Sequence, residues 1–294
     1  MDWTPDLCIY HGGCDDGFGA AWAIWKRWPD CEFVPGYYGK ELPDVSGRNV
    51  LFVDFSAPID WIYAQSFRSR SMVIIDHHKT AQADLERLPA FDGTMIGLDA
   101  AFKINWTQNT PEVAAWFDMR RSGAIMAWLF AHPDQSPPAM LTFIQDRDLW
   151  LFDYGDETRH FSAALRTYPM DFATWDRIAA DCDAIIDEGE IVLRAHQANI
   201  KKLMTETYFA DVGGHQVPVV NAPYHYASDT AHELLAAYPD APFAACWFRR
   251  ADGQIQWSLR SANDRVDVSA VAKSLGGGGH RNAAGFQQAV PTQP

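Results

Sequence analysis

Apolar residues come in short blocks in the first half of the chain and at longer spacing between them. Residues 7–10, 32–35, 49–55 and 72–75 are runs of largely β-branched and aromatic side chains, of the kind buried on both faces of a parallel sheet. The intervening stretches, from Phe18 through Trp28 and from Pro58 to about Arg70, read as helices. Strands alternating with helices predict an α/β fold with a parallel sheet. Residues 81–88 continue as helix, 97–98 as a short strand or loop, and 111–130 as helix, before a second apolar run at 140–144. From Phe172 to about Tyr208 apolar residues recur at helical spacing, interrupted only at Gly189, which predicts a long connector. Beyond it the pattern changes to short strands (216–221, 241–249, 254–261) and helices (230–237, 268–275), with a hairpin turn at Ala251-Asp252-Gly253. The expected layout is an N-terminal parallel-sheet domain over 1–185, a helical connector over 186–208 and a smaller α/β domain over 209–294.

The apolar runs end in residues that bind cations. The first strand runs into His11-Gly12-Gly13-Cys14-Asp15-Asp16-Gly17, the third ends at Asp54, and the fourth breaks into Asp76-His77-His78. A parallel sheet gathers such ends on its carboxyl edge, where open α/β folds bind their ligands. The run at 140–144 leads into Gln145-Asp146-Arg147-Asp148, which offers a fourth position or a salt-bridged surface loop. One Asp after a strand is an ordinary turn or helix cap, but several ends rich in Asp and His suit a divalent cation. The glycine loop after the first strand lacks the G-x-G-x-x-G spacing, and its His and Asp residues are unsuited to cradling a pyrophosphate. Four glycines, 276–279, precede His280-Arg281-Asn282 and are expected to bring backbone N–H groups close to a phosphate. His196 reads as a packed or surface residue.

Composition narrows the field. With 48% hydrophobic and 21% charged residues in 294, the chain has the balance of a globular protein, and its twelve Trp are spread along it as packing residues. Lys plus Arg number 24 against 38 Asp plus Glu, a net charge of −14, which disfavours long nucleic acid because that binding is driven by phosphate neutralisation. A small anion held by a local metal and a few Arg is compatible with such a surface. Five scattered Cys with no C-x-x-C argue against a disulfide framework or a structural zinc site. No apolar run approaches a membrane span and the first residues lack a secretory pattern, so a cytoplasmic protein without a membrane partner is expected.

Asp76-His77-His78, the loop from His11 to Gly17, Asp54, Asp146 within Asp-Arg-Asp-Leu-Trp and the run 276–285 together resemble the DHH/DHHA1 phosphoesterase family. That family includes single-strand exonucleases, nano-RNases and phosphoadenosine-phosphate phosphatases, and the resemblance covers nearly the whole chain. It implies a DHH domain, a DHHA1 domain and two divalent metal ions, usually Mn²⁺ with Mg²⁺, Zn²⁺ or Fe²⁺ as alternatives, bridged by an Asp and a hydroxide. Carried over, Asp54 is the bridging carboxylate, His11 and a loop carboxylate bind one metal, and Asp16, His77 and Asp146 bind the other. Asp76 orients a His through its second ring nitrogen and His78 sits near the phosphate. Arg260, Gly277, Gly278, Gly279 and His280 grip the far end of the substrate. The implied activity is hydrolysis of phosphodiester or phosphomonoester bonds in short oligonucleotides or small nucleotides by a monomer or homodimer. The alternatives are an exopolyphosphatase-like hydrolase and a non-catalytic nucleotide-binding homologue. One departure stands out: the family spaces its loop carboxylates two residues apart, which places Cys14 where the first belongs. Either the loop presents Asp15 instead, or Cys14 contributes a thiolate that shifts preference towards Zn or Fe.

Overall fold

Five of the apolar runs form one parallel sheet. Its strands are β1 (Leu7–His11), β2 (Glu32–Gly36), β3 (Asn49–Val53), β4 (Ser71–Asp76) and β5 (Val113–Phe117), in the order β2-β1-β3-β4-β5. The computed structural model describes residues 3–108 and 110–289. It divides into two compact units, Met1–Leu193 and Arg194–Pro294. The boundary falls within a long helix rather than at either end of the connector expected over 186–208.

In the N-terminal unit the central strands β3 and β4 are buried on both faces, while the edge strand β2 is largely half-exposed or exposed. Cys8, Leu51, Val53, Val73 and Ile75 join one core, which contains residues of α1 (Asp15–Arg27), α4 (Met95–Gln108), α5 (Gly123–Ala131), α6 (Ala139–Asp148), α7 (Asp156–Leu165), α8 (Phe172–Ala180) and the start of α9 (Cys182–Met204). The alternate residues Leu7, Ile9, Phe52, Met72 and Ile74 join a second core with α2 (Ile59–Ser66) and α3 (Gln82–Leu85). From β1 the chain moves outward to β2 and then crosses to β3 on the other side of β1. Strand order reverses there, and the crevice at such a reversal is where doubly wound sheets take their ligands. His11 ends β1 and Asp54 follows β3, so both stand at this point.

Some elements differ from the sequence reading. Residues 113–117 lie in β5 rather than in a helix: pairing of Met72–Asp76 with Val113–Phe117 overrides the helical preference of an Ala-rich segment. Gly97 and Leu98 lie inside α4, and the run at 140–144 belongs to α6, so the fourth polar position is a helix end and not a strand end. The connector breaks at Asp181, between α8 and α9, and passes straight through Gly189. Among the described residues no helix is long and apolar enough to cross a membrane.

The C-terminal unit is a mixed sheet. Its elements are β6 (Tyr208–Val212), β7 (His215–Asn221), α10 (Tyr224–Ala237), β8 (Ala244–Arg249), β9 (Ile255–Arg260), α11 (Val268–Ser274), β10 (Gly278–His280) and β11 (Ala283–Gln288). Strand order is β10-β11-β9-β8-β7-β6, antiparallel except between β7 and β8, which α10 connects. Strand β6 was not foreseen; Gly213 and Gly214, both at positive φ, turn it into β7.

Gly189 continues α9 because α7 presses on it: an added Cβ would lie 1.9 Å from the His160 carbonyl oxygen. Helix propensity favours Ala over Gly by about 1 kcal/mol. A backbone clash of this depth outweighs that gain. Gly189→Ala should therefore destabilise the protein by about 1–3 kcal/mol, read as a lower urea midpoint at unchanged m.

Candidate metal centre

Three strand ends and three helix ends meet at Asp54, which itself follows β3. Its carboxylate, 1% exposed, belongs to two groups of ligand-type atoms, one with His11 and His78 and one with Asp16 and His77. His11 Nδ1 stands 3.4 Å from Asp54 Oδ2, and His77 Nε2 stands 3.0 Å from Oδ1. Asp54 adopts a left-handed backbone with φ 55°, a conformation that costs a non-glycine residue about 1–2 kcal/mol. The N-terminus of α5 packs against it so closely that a Cβ at Gly123 would lie 2.4 Å from the Asp54 Cβ. The same helix end holds Asp16: Gly123 N–H donates to Oδ2 at 2.7 Å and Ala124 N–H to Oδ1 at 2.9 Å. A helix N-terminus suits a carboxylate through its free N–H groups and its dipole.

Asp76 orients its neighbour. Its Oδ1 accepts from the backbone N–H of His77 at 2.7 Å and of His78 at 3.1 Å, and from His78 Nδ1 at 2.7 Å. The carboxylate can only accept, so His78 carries its proton on Nδ1 and keeps Nε2 for another partner. The side chain of His77 is 3% exposed and that of His78 is 14%, which makes His78 the more open of the pair.

Charge in this cluster is finely opposed. Burial alone would raise the Asp54 carboxyl, but His11, His77 and His78 hold it well below the usual carboxylate range. Burial, Asp54 and Asp148 push Asp16 well above that range. Asp148 is raised mainly by burial, with His77 opposing. Burial disfavours charge on His77, yet Asp54, Asp148 and Asp16 lift it well above an ordinary imidazole. His78 is lifted against burial to about 9 by Asp76.

Two sequence assignments are rearranged. Asp146 does not reach the cluster: it accepts from the N–H groups of Asp153 at 2.8 Å and Tyr154 at 3.3 Å and from the Thr158 hydroxyl. Asp148 stands there instead, its Oδ2 3.7 Å from His77 Nε2. Both lie on α6, where residues two apart point about 200° away from each other, so the helix shows only one of them to the residues around Asp54. Asp15 likewise turns away, 3.7 Å from the Arg166 Nε, because α1 begins at Asp15 and rotates it about 100° from Asp16. Cys14 caps that helix. Its Sγ accepts from Gly17 N–H at 3.2 Å and lies 3.5 Å from Asp54 Oδ2. Burial, and then Asp54, raise its thiol well above an ordinary cysteine. The sequence reading also missed Tyr38, whose ring sits 5.6 Å edge-on from His11.

In the C-terminal unit Gly278 and Gly279 lie in β10, next to Gly277, rather than in an open loop. Gly278–His280 is a strand paired with β11, and the glycines serve close packing: a Cβ on Gly277 would lie 2.0 Å from the Gly285 carbonyl oxygen. Register instead aligns two basic residues. Ala283 pairs with Arg260 on one side and with His280 on the other, so an Arg, an Ala and a His form a row across three strands. Paired residues share a face of the sheet. Arg260 Nε donates to Ser228 Oγ at 3.2 Å, and burial lowers its basicity somewhat. His196 is packed, as expected, 4.8 Å from the Tyr226 ring and 2.9 Å from Asp229.

Residues 226–292 match the DHHA1 domain family. The chain is 30% identical over 305 aligned positions to the uncharacterised protein R106 of Acanthamoeba polyphaga mimivirus, covering 96% of this chain and 67% of that one. This chain belongs to the DHH/DHHA1 phosphoesterase family. Among solved structures it resembles the pGpG-specific phosphodiesterase PggH of Vibrio cholerae, at 11% identity and a TM-score of 0.39, over 97% of this chain and 93% of that one. It also resembles an exopolyphosphatase-related protein of Bacteroides fragilis, at 12% identity and a TM-score of 0.41, over 98% and 87%.

DHH-family phosphoesterases are metal-dependent, and the residues at Asp54 fit that requirement. Oδ1 of Asp54 is buried and takes no directed hydrogen bond, although an imidazole nitrogen stands 3.0 Å from it. A buried carboxylate ringed by imidazole and carboxylate donors is a set of atoms suited to a divalent cation. Asp148→Asn should accordingly lower metal affinity by about 10–100-fold in equilibrium dialysis. Asp146→Asn should leave affinity closer to wild type and instead lower the melting temperature, because it loosens the segment from Asp153 to Thr158.

In metal-stripped protein His78 carries a raised folded-state pKa of about 9 against about 6.5 unfolded. Its charge therefore stabilises the fold fully below pH 6.5, and this contribution declines as pH rises to 9, by on the order of 3 kcal/mol. Unfolding free energies measured across that window should fall in the stripped protein, and His78→Gln should flatten the slope.

Proposed function

We propose that this chain is a metal-dependent phosphoesterase that hydrolyses phosphodiester or phosphomonoester bonds of short oligonucleotides or small nucleotides. The observation that carries the reading is the single buried carboxylate of Asp54 shared by two donor groups. Such sharing suits two divalent cations side by side. In this reading His11 and Asp54 hold one of them, and Asp16, Asp54, His77 and Asp148 hold the other. Bound there, Mn²⁺ or a related divalent ion supplies water activation at neutral pH and neutralises phosphoryl charge.

The remaining residues position the substrate. His78, its ring held by Asp76 and more exposed than His77, offers Nε2 to a phosphoryl oxygen. Asp76 acts through His78 and does not touch the substrate. Within the DHHA1 domain Arg260 and His280, flanking the small Ala283, offer a row suited to an anion such as phosphate. A net charge of −14 repels long nucleic acid and favours small substrates. Five cysteines without a disulfide partner fit a cytoplasmic setting. The donor set around Asp54 argues against a non-catalytic homologue. An exopolyphosphatase-like hydrolase would use the same centre and differ only in the anion it takes.

The test is hydrolysis of a dinucleotide and of a generic phosphodiester by protein loaded with Mn²⁺. EDTA should abolish turnover and Mn²⁺ should restore it. Asp54→Asn should reduce kcat by about 10²–10³-fold or more. Undiminished activity in that variant would remove the shared carboxylate from the mechanism.

A further inference from the structure

We propose that Cys14 binds the cation at the His11 position as a thiolate, and that this position prefers a borderline cation such as Zn²⁺, Fe²⁺ or Co²⁺ over Mn²⁺. The proposal rests on the two-cation reading above and deepens it. Cys14 Sγ lies 3.5 Å from His11 Nδ1 and 3.5 Å from Asp54 Oδ2, and those two atoms lie 3.4 Å from each other. With metal–sulfur bonds of about 2.3 Å and metal–nitrogen or metal–oxygen bonds of about 2.0–2.1 Å, donors placed tetrahedrally around one ion stand about 3.4–3.6 Å apart. The three observed edges all match.

Independent features agree. Asp54 is almost wholly buried, with Oδ2 facing Cys14 and His11 and Oδ1, which lacks a directed hydrogen bond, facing His77, so the two oxygens serve two neighbouring donor groups. The Gly17 N–H donates to the sulfur, which caps α1, and a helix N-terminus favours negative charge there. Asp15, the other candidate of the loop, faces Arg166. The position of Asp16, Asp54, His77 and Asp148 offers only oxygen and nitrogen donors, which suit Mn²⁺ or Mg²⁺. The two positions are therefore chemically unequal. On coordination the thiol proton leaves to solvent and the sulfur lone pair goes to the cation, with no change of oxidation state.

The experiment strips the full-length protein with EDTA, reloads it with Co²⁺ and records the near-ultraviolet spectrum. A sulfur-to-cobalt charge-transfer band should appear in the wild type, disappear in Cys14→Ser and Cys14→Asp, and persist in Cys182→Ser. In competition measured by metal analysis, the preference for Zn²⁺ over Mn²⁺ should fall about tenfold or more in Cys14→Asp. Wild-type protein that retains Co²⁺ without the band, or a Cys14→Ser variant that keeps it, overturns the thiolate ligand and leaves the two-cation reading standing. Wild-type protein that retains no Co²⁺ overturns both. The wild-type spectrum decides the question even if the variants fold poorly.

Discussion

The site depends on holding the Asp54 carboxylate, buried and ionised, at the point where the sheet reverses its strand order. Nothing about that placement is comfortable by itself. The backbone is left-handed, the side chain is desolvated, and a second buried carboxylate, Asp16, stands close enough to raise its own pKa in response. What makes it tenable is the surrounding arrangement: hydrogen bonds from His11 and His77 and the charge of His77 and His78 favour ionised Asp54, and the N-terminus of α5 supplies two N–H groups to Asp16. Gly123 couples these effects, since only a residue without a Cβ lets the helix end approach both carboxylates. Strain and opposed charge at one position are what a cation site looks like from the protein's side.

The segment around α6 shows how one helix divides work between two similar residues. Asp148 stands at the cluster, while Asp146 fastens the turn that follows. That turn carries Trp150 and Phe152 at positive φ, with the Arg147 guanidinium 4.2 Å from the Trp150 ring and the Arg159 guanidinium 3.9 Å from that of Phe152. Asp146 thus acts on the site through the backbone, and Asp148 acts on it directly. The same logic separates Asp15 from Asp16 on α1, where one residue forms a surface ion pair and the other enters the centre.

In the DHHA1 domain the glycine run has a different purpose from the one its composition implied. Glycines at 277 and 279 let β10 lie against β11 where a side chain would collide with backbone. The register they permit aligns His280 with Arg260 across Ala283.

Much was legible in the chain. Short apolar runs marked four of the five strands of the parallel sheet, and His11, Asp54 and Asp76 to His78 at their ends marked the edge and the family resemblance. The His and Asp residues that gather around Asp54 were all visible in the order of the sequence. What could not be read was which member of a neighbouring pair faces the centre. Asp146 and Asp148 would share a face on a strand and oppose each other on a helix, and Asp15 and Asp16 diverge only because α1 begins between Cys14 and Asp16. Strand β5 was hidden for a related reason, since an Ala-rich segment prefers helix until β4 offers it a partner. Local composition determines what a residue can do. Where it points follows from element type and register, and those are set by pairing and packing between segments distant in the chain.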